Sequence, residues 1–299
     1  MIDSIEILPP VVFEILLFIL GGVIGSFLNV VIYRLPIMLQ HKWANDCAIL
    51  VGDEATKSSF NLMYPRSHCR DCLKKIPEWA NIPIIGFLIL RGTCYFCKAK
   101  ISKRYLFVEI LTGGLFVIAG YYFSGVLLFG LLLYISFVIC LVFIDYDNFI
   151  LPDELTLPLL WIGLLFNIHG MLSGSLENSV IGAVFGYLGL WSIYWGFKLI
   201  TKKDGMGYGD FKFLAAILAW SGYQAIIPVT FIASVLGIIY FVIILIGDKV
   251  KTIGNIKNAL QYHIPFGPFL GVASLLFIFF AHSFESSAWL KDFLELPNL

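Results

Sequence analysis

The sequence predicts an all-α fold, a polytopic helical membrane protein with about eight transmembrane helices. Of the 299 residues, 59% are hydrophobic and only 13% are charged, and the mean hydropathy is +0.89. These values exclude an ordinary soluble domain, in which about 45–50% of residues are apolar and about 25% are charged. The formal net charge is zero, so no overall field would attract nucleic acid, and a nucleic-acid partner is not expected.

Eight apolar runs, separated by polar or turn-forming residues, are the candidate transmembrane helices. They cover residues 11–32, 105–123, 127–144, 155–171, 179–199, 211–221, 225–246 and 264–281. A span needs about 17–25 apolar residues, and only the sixth run falls clearly short of that. The predicted organisation is therefore a first transmembrane helix within 1–33, a polar segment at 34–104 and a seven-helix membrane core at 105–299.

Basic residues are distributed very unequally between the two sides of this arrangement. Lysine and arginine in short loops mark the cytoplasmic side. With eight spans, nineteen of the 20 basic residues fall on one side: those of 34–104, and Lys198, Lys202, Lys203, Lys212, Lys249, Lys251 and Lys257. Lys291 is alone on the other side. The 34–104 segment is therefore predicted to be cytoplasmic, and both chain termini are predicted to lie on the opposite side.

A glycine-rich turn before the sixth run ends in an acid. It reads Gly205-Met206-Gly207-Tyr208-Gly209-Asp210. Glycine at this density permits sharp bends and close approach of the backbone. An aspartate at the start of a membrane helix is a functional-site candidate, because a carboxylate is costly there. The predicted topology places Asp145, at the end of the third run, at the same cytoplasmic depth.

Two facing carboxylates could hydrolyse a peptide bond. Like charges that share a site cannot both ionise easily, so one group can donate a proton while the other accepts one from water. Spacing and topology leave open a second interpretation of Asp145, as an interfacial carboxylate that faces water. Its neighbours Asp147 and Asp153 are interpreted as solvated loop residues, and Asp153 as a cap of the fourth helix.

Four cysteines in the polar segment form two C-x-x-C pairs, Cys69 with Cys72 and Cys94 with Cys97. Four thiolates on two such turns are a closed tetrahedral site for zinc, and a cytoplasmic location disfavours disulfides. Unliganded thiols or a redox pair are the alternative interpretation. Cys140 is interpreted as a small residue of a membrane helix, and the sequence assigns no role to Cys47.

Several motifs, taken in order, resemble those of one family. Gly207-Tyr208-Gly209-Asp210 looks like the GxGD motif of intramembrane aspartyl proteases. With the stretch 145–153, it resembles the type IV prepilin leader peptidases, which also act as prepilin N-methyltransferases. The stretches 25–36 and 264–268 and the cysteine pairs extend the resemblance over nearly the whole chain.

The resemblance implies a bacterial inner-membrane aspartyl endopeptidase with periplasmic termini and an active site at the cytoplasmic face. The catalytic residues of the family fall on Asp145 and Asp210, and Gly207 and Gly209 complete the motif. The implied substrates are prepilin and pseudopilin precursors, serving pilus assembly or type II secretion. Methylation of the new N-terminal amine by S-adenosylmethionine is implied by resemblance alone, with Arg91 and Gly92 as the matching residues. The sequence does not indicate an oligomeric state.

Three further residues have two interpretations each. Glu109, inside the second run, either lies beside the dyad or a methyl-transfer site, or makes a structural hydrogen bond to a neighbouring helix. Lys212 either influences the charge of the dyad or reaches the membrane interface; it cannot share a helix face with Asp210 at a spacing of two. Arg34 either belongs to the first-span motif or extends to the interface as a positive-inside anchor.

Two other classes of protein compete with the peptidase interpretation. A secondary transporter would have internal repeats and acids near the bilayer midplane, and the sequence shows neither. A non-catalytic membrane scaffold with a zinc-stabilised docking module would explain the cysteines but not the GxGD turn.

Overall fold

The computed structural model describes residues 9–52, 60–172, 174–246 and 264–285. The helices in these ranges are α1 (Pro10–Val51), α2 (Ile85–Ile89), α3 (Lys103–Tyr122), α4 (Gly125–Asn148), α5 (Asp153–Phe166), α6 (Leu176–Thr201), α7 (Tyr208–Ser221), α8 (Ile226–Ile246) and α9 (Gly267–Glu285). Short 3₁₀ turns occur at Glu78–Asn81, Asn167–His169 and Tyr223–Ala225. Over the described ranges there is no β-strand, only isolated bridges within the cysteine segment. The predicted all-α class is confirmed.

Each of the eight apolar runs coincides with one helix. Five helices are long and apolar enough to cross a membrane, namely α1, α3, α4, α6 and α8 with its preceding turn. The three others, α5, α7 and α9, have 14, 14 and 19 residues. Lys249, Lys251, Lys257, Lys291 and both chain termini, which contributed to the predicted topology, lie outside the described residues.

The first helix is much longer than its apolar run. It continues from residue 32 through Pro36 to Val51, 42 residues in all. No glycine or further proline interrupts residues 37–51, so nothing in the backbone ends the helix until Gly52. There the left-handed conformation, with φ of 88°, supplies a C-terminal cap that glycine adopts without steric cost.

The chain divides into two compact units, residues 1–140 and 141–299. In the first unit α1 and α3 pack closely. A Cβ atom at Gly21 would lie 2.6 Å from the Cα atom of Gly113, and one at Gly25 would lie 2.9 Å from the Cα atom of Glu109. Small residues allow two membrane helices to approach this closely, and van der Waals packing then holds them together.

In the second unit α7 is the central helix, and α5, α6 and α9 pack around it. Apart from Lys212, all its residues from Asp210 to Trp220 are buried. A helix that is apolar on every side is a buried one. Burial among other helices therefore explains why the sixth run is strongly hydrophobic although it is short.

The C-terminal end of α7 is fixed by two buried polar side chains. The Nε1 atom of Trp220 donates to the Leu159 carbonyl at 2.8 Å. The Nδ2 atom of Asn167 donates to the carbonyls of Ala219 and Trp220 at 3.0 and 2.9 Å. The carbonyls of Ala219 and Trp220 are among the last four of α7, which have no intrahelical partner. The anchored helix in turn fixes the position of Asp210 at its opposite end.

Candidate active site

Asp145 is held at the end of α4 by the start of α9. Its side chain is 5% exposed, and its Oδ2 atom accepts the backbone N–H of Gly267 at 3.0 Å. Gly267 is the first residue of α9, and the first N–H groups of a helix have no intrahelical acceptor. A helix N-terminus is a favourable partner for a carboxylate. The contact therefore fixes the direction in which the Asp145 carboxylate points.

Asp210 lies in the first turn of α7, directly after the glycine-rich turn. Its side chain is 7% exposed. Gly207 has φ of −79°, so the motif does not need glycine there for a left-handed backbone. The need at Gly209 is space, because a Cβ atom would lie 2.9 Å from the Cβ atom of Leu151. The glycine thus lets α7 begin in contact with the α4–α5 connection.

The fold brings these two acids, 65 residues apart in the sequence, into one site. Asp145 lies close enough to Asp210 for the charge of its carboxylate to affect the Asp210 carboxyl group. Both residues are buried. Of the neighbouring acids, Asp147 and Asp153 are exposed. The prediction that Asp153 caps α5 is wrong. Pro152 occupies the N-cap position, and Asp153 is the first residue of α5. The site therefore contains a buried pair with exposed acids next to it.

Lys212 pairs with Asp153 and not with the buried acids. Its Nζ atom lies 2.8 Å from both carboxylate oxygens of Asp153, and both side chains are partly exposed. The contact joins the first turn of α7 to the first turn of α5. Neither interpretation of Lys212 from the sequence included Asp153 as its partner. Asp153 lies 59 residues earlier in the chain.

We expect Lys212→Met to lower the free energy of unfolding by no more than about 1 kcal/mol, because exposed ion pairs typically contribute about 0.2–1 kcal/mol. Chemical unfolding in detergent micelles measures this, with Lys203→Met, an exposed lysine of the preceding loop, as the matched control. A loss of several kcal/mol would contradict the assignment of Lys212 to a surface ion pair.

The loop before α7 is held by a polar network. Lys198 Nζ lies 2.7 Å from Asp204 Oδ1, and the Tyr194 hydroxyl donates to the same oxygen at 2.6 Å. The hydrogen bond from Lys198 lowers the pKa of Asp204 from its ordinary value, and the one from Tyr194 adds to the effect. The Tyr194 ring also lies 5.3 Å from that of Tyr208. The network therefore ties the loop to α6 on both sides of Gly205–Gly207.

In the first unit, the four predicted cysteines form one cluster. Their Sγ atoms all lie within 4.8 Å of one another; Cys69 and Cys97 are separated by 3.7 Å and Cys72 and Cys94 by 4.0 Å. Tetrahedral zinc with bonds of about 2.3 Å separates its sulfurs by about 3.8 Å. Backbone N–H groups of Cys97 and then Phe96 lower the pKa of the Cys94 thiol to about 6. The residues present therefore fit a metal ion.

Glu109 and Arg34 both hold parts of the polar segment. Glu109 is buried, and its Oε2 atom accepts the backbone N–H of Ile84 at 2.7 Å. One partner is thus a loop, and a second is Ser26 of the neighbouring helix α1, which is the kind of contact that the structural interpretation named. Arg34 is also buried and donates to the carbonyls of Asn61, Leu62 and Pro65. It holds the loop that leads to Cys69.

Comparison with known proteins covers both units. Residues 19–123 match the family model described as the bacterial Peptidase A24 N-terminal domain, and residues 132–242 match that of the type IV leader peptidase family. A prepilin leader peptidase/N-methyltransferase of Stutzerimonas stutzeri is 43% identical over 88% of this chain and 89% of its own length. The chain belongs to the type IV leader peptidase family.

Other members of this leader peptidase family with the same name are similarly close. One from Aeromonas salmonicida is 43% identical over 90% of this chain and 91% of its own length. One from Pseudomonas putida is 40% identical over 93% and 94%. No solved structure gives a significant match. The matched ranges include Asp145, Asp210 and the four cysteines, whereas Gly267 lies beyond both.

The contact of Gly267 with Asp145 was not predicted from the sequence of this family member. The resemblance to the family includes the stretch 264–268 but assigns no role to its residues. A local signal was present, since glycine followed by Pro268 at the start of an apolar run is typical of a helix N-terminus. What no local pattern indicates is which acid that N-terminus contacts, because the acid lies 122 residues earlier.

Proposed function

We propose that this protein is an aspartyl endopeptidase that removes the leader peptide of type IV prepilins and pseudopilins. The observation that carries the proposal is the buried pair of Asp145 and Asp210, two acids close enough for their charges to interact. The names of the relatives, all prepilin leader peptidase/N-methyltransferase, supply the substrate class.

The pair can hydrolyse a peptide bond without a covalent intermediate. One carboxylate, ionised, takes a proton from a water molecule whose oxygen attacks the scissile carbonyl carbon. The other, protonated, gives its proton to the leaving nitrogen as the C–N bond breaks. Each acid thereby ends in the other's starting state, and one proton exchange with water restores the site. Gly267 keeps the Asp145 carboxylate in a fixed direction during both steps.

Cleavage by the purified protein tests this function directly. A synthetic precursor with a basic leader and an apolar helix, placed in vesicles with the protein, should yield two peptides identified by mass spectrometry. Absence of cleavage under conditions in which the protein remains folded would count against the proposal. Uptake of protons or cations by the same vesicles would favour the transporter instead.

Methyl transfer is the second activity that we propose, and the name of the relatives, prepilin leader peptidase/N-methyltransferase, supports it. S-adenosylmethionine would supply the methyl group. Arg91 and Gly92 lie between α2 and Cys94, both with left-handed backbone, φ of 51° and 69°. Arg91 is exposed, so its guanidinium is available to bind the carboxylate of the donor. The Phe87 ring packs directly against Gly92, because a Cβ atom there would lie 2.9 Å from it.

We propose that the metal of the four-cysteine cluster is zinc and that it stabilises the segment between α1 and α3. Purified protein should therefore contain about one zinc ion per chain, as expected for a four-thiolate site. Metal analysis of a Cys69→Ser, Cys72→Ser double variant should show loss of the ion. Cys47→Ser, at an exposed cysteine outside the cluster, is the matched control and should retain it. Full occupancy in the double variant would reject the site.

For the location, we propose the bacterial inner membrane, with the 34–104 segment in the cytoplasm and both termini in the periplasm. The asymmetry of the basic residues supports this orientation. Asp145 and Asp210 would then lie near the cytoplasmic face, at the end of α4 and the start of α7. A scissile bond at that depth needs no deep entry into lipid, and water is available there.

A further inference from the structure

The loop before α2 reaches far along the first membrane helix. A Cβ atom at Gly22 would lie 3.7 Å from the Cδ1 atom of Ile84 and 3.9 Å from the Cβ atom of Pro83. The apolar run of α1 ends before the buried Arg34, and Gly22 is the midpoint of residues 10–34. The side chains of residues 83 and 84 therefore reach the level of the middle of the span, although they belong to the polar segment.

The partner helix gives the same depth independently. The apolar part of α3 runs from Tyr105 to Tyr122, so Gly113 is close to its middle. Gly113 is also the residue that meets Gly21. Both helices thus place their midpoints at the same level. Glu109, which accepts the N–H of Ile84, is four residues from Gly113, or about 6 Å towards the cytoplasmic end at a rise of about 1.5 Å per residue.

We infer that residues 82–90 form a re-entrant segment that enters the cytoplasmic leaflet beside α1 and α3 and leaves it before Arg91. The hydrocarbon core extends about 15 Å on each side of its middle. Four residues of helix from Ile84 to Leu88 rise about 6 Å. The N–H of Ile84 lies at the level of Glu109, about 6 Å from the middle. Leu88 therefore lies within about 12 Å of the middle, still inside the hydrocarbon.

The exposed side chains of the segment fit a lipid environment. They are Ile82, Ile85, Leu88 and Ile89, each 45–63% exposed in the isolated chain. The two helices that the segment contacts also expose apolar side chains close in sequence to the contact residues, namely Val23, Phe27 and Ile110, which is why lipid is the occupant that we assign to this face. No charged residue occurs in 82–90, whereas basic residues follow from Arg91 onwards, as expected where a chain leaves the membrane.

The inference also explains the buried acid of α3. Non-helical backbone at membrane depth is tolerated only where its polar groups are satisfied by protein. Ile84 precedes α2 with φ of 61°, and its N–H has the Glu109 carboxylate as acceptor. Glu109 is thus a structural residue of the re-entrant segment, and Gly22 provides the space in which that segment packs.

A depth measurement on the full chain tests this inference independently of any enzymatic activity. A genetically encoded fluorescent amino acid replaces Leu88, or in a second variant Ile85, and the protein is placed in phosphatidylcholine–phosphatidylglycerol vesicles. Leu73, also apolar and exposed but located directly after the first cysteine pair, is the matched control. Nitroxides on the acyl chain should quench positions 88 and 85 about threefold more than iodide in the water does, because both lie in hydrocarbon. Position 73 should show the reverse order.

Quenching by iodide at positions 88 and 85 to the same extent as at position 73 would overturn the inference. Protection of these positions from both quenchers would also overturn it, since another protein surface would then cover α2. Both positions are exposed, so replacement disturbs no core packing, and thermal unfolding of each variant verifies the fold.

Discussion

Asparagine at either Asp145 or Asp210 should abolish leader removal, with a loss of at least about 10³-fold in the cleavage rate. Asparagine keeps the size of the side chain but can neither accept the proton of water nor return one to the leaving amine. Because each acid depends on the other, the two single variants and the double variant should be about equally inactive. The measurement is the initial rate of precursor cleavage in vesicles, with KM determined where activity remains.

Stability distinguishes this result from simple misfolding. Two buried acids that repel each other cost folding free energy, so replacing one with a neutral amide should leave the unfolding temperature unchanged or raise it. The matched control is Asp147→Asn, an exposed acid of the same helix end, which should retain near-normal cleavage. Normal processing by either dyad variant would refute the peptidase proposal. A large fall in the unfolding temperature of a dyad variant would contradict the expected result, because the loss of cleavage would then follow from misfolding.

The membrane helices were predictable because composition alone determines where a chain can cross a bilayer. All eight apolar runs became helices, since the backbone in lipid must satisfy its own hydrogen bonds, and five of them in the described residues are long and apolar enough to cross a membrane. The length of α1 was not predictable from hydropathy, because residues 37–51 are too polar for a span but contain nothing that ends a helix. The full burial of α7 was unpredictable for a different reason. The helix is surrounded by other helices, and its full burial depends on contacts that no single run records.

The candidate site was predictable only in part, because some of its contacts join residues that are far apart in the chain. Asp145 and Asp210 could be matched by membrane depth, which a topology provides without any packing. The acceptor role of Glu109 and the donor role of Gly267 depend on rotation and register between segments far apart in the chain. Their partners, Ile84 and Asp145, lie 25 and 122 residues away. Of the two interpretations of Glu109, a structural hydrogen bond is what the structure contains, and its donors are the loop residue Ile84 and Ser26 of the neighbouring helix.

Gly267→Ala is the second change for which we expect a large effect, although it removes no polar group. A Cβ atom at this position would lie 2.6 Å from Oδ2 of Asp145, well inside the contact distance, so the carboxylate or the start of α9 must move. The N–H of residue 267 would then no longer hold Oδ2 in its present direction. Because a displacement of about 1 Å at a catalytic group can cost about 10²-fold, we expect kcat to fall by about that factor.

The division between kcat and KM decides whether Gly267 positions the acid or only supports the fold. If it positions Asp145, binding of the precursor is unaffected, and KM should stay within about threefold while kcat falls. The matched control is Gly189→Ala on α6, where a Cβ atom meets no other atom within 4 Å, and both constants should be unchanged. Because Oδ2 of Asp145 accepts the N–H of Gly267 at 3.0 Å within a buried site, a Gly267→Ala protein with full kcat would mean that the direction of this carboxylate does not limit catalysis. The acid would then act with its orientation set by Asp210 and bound water alone, and α9 would have no part in the chemistry.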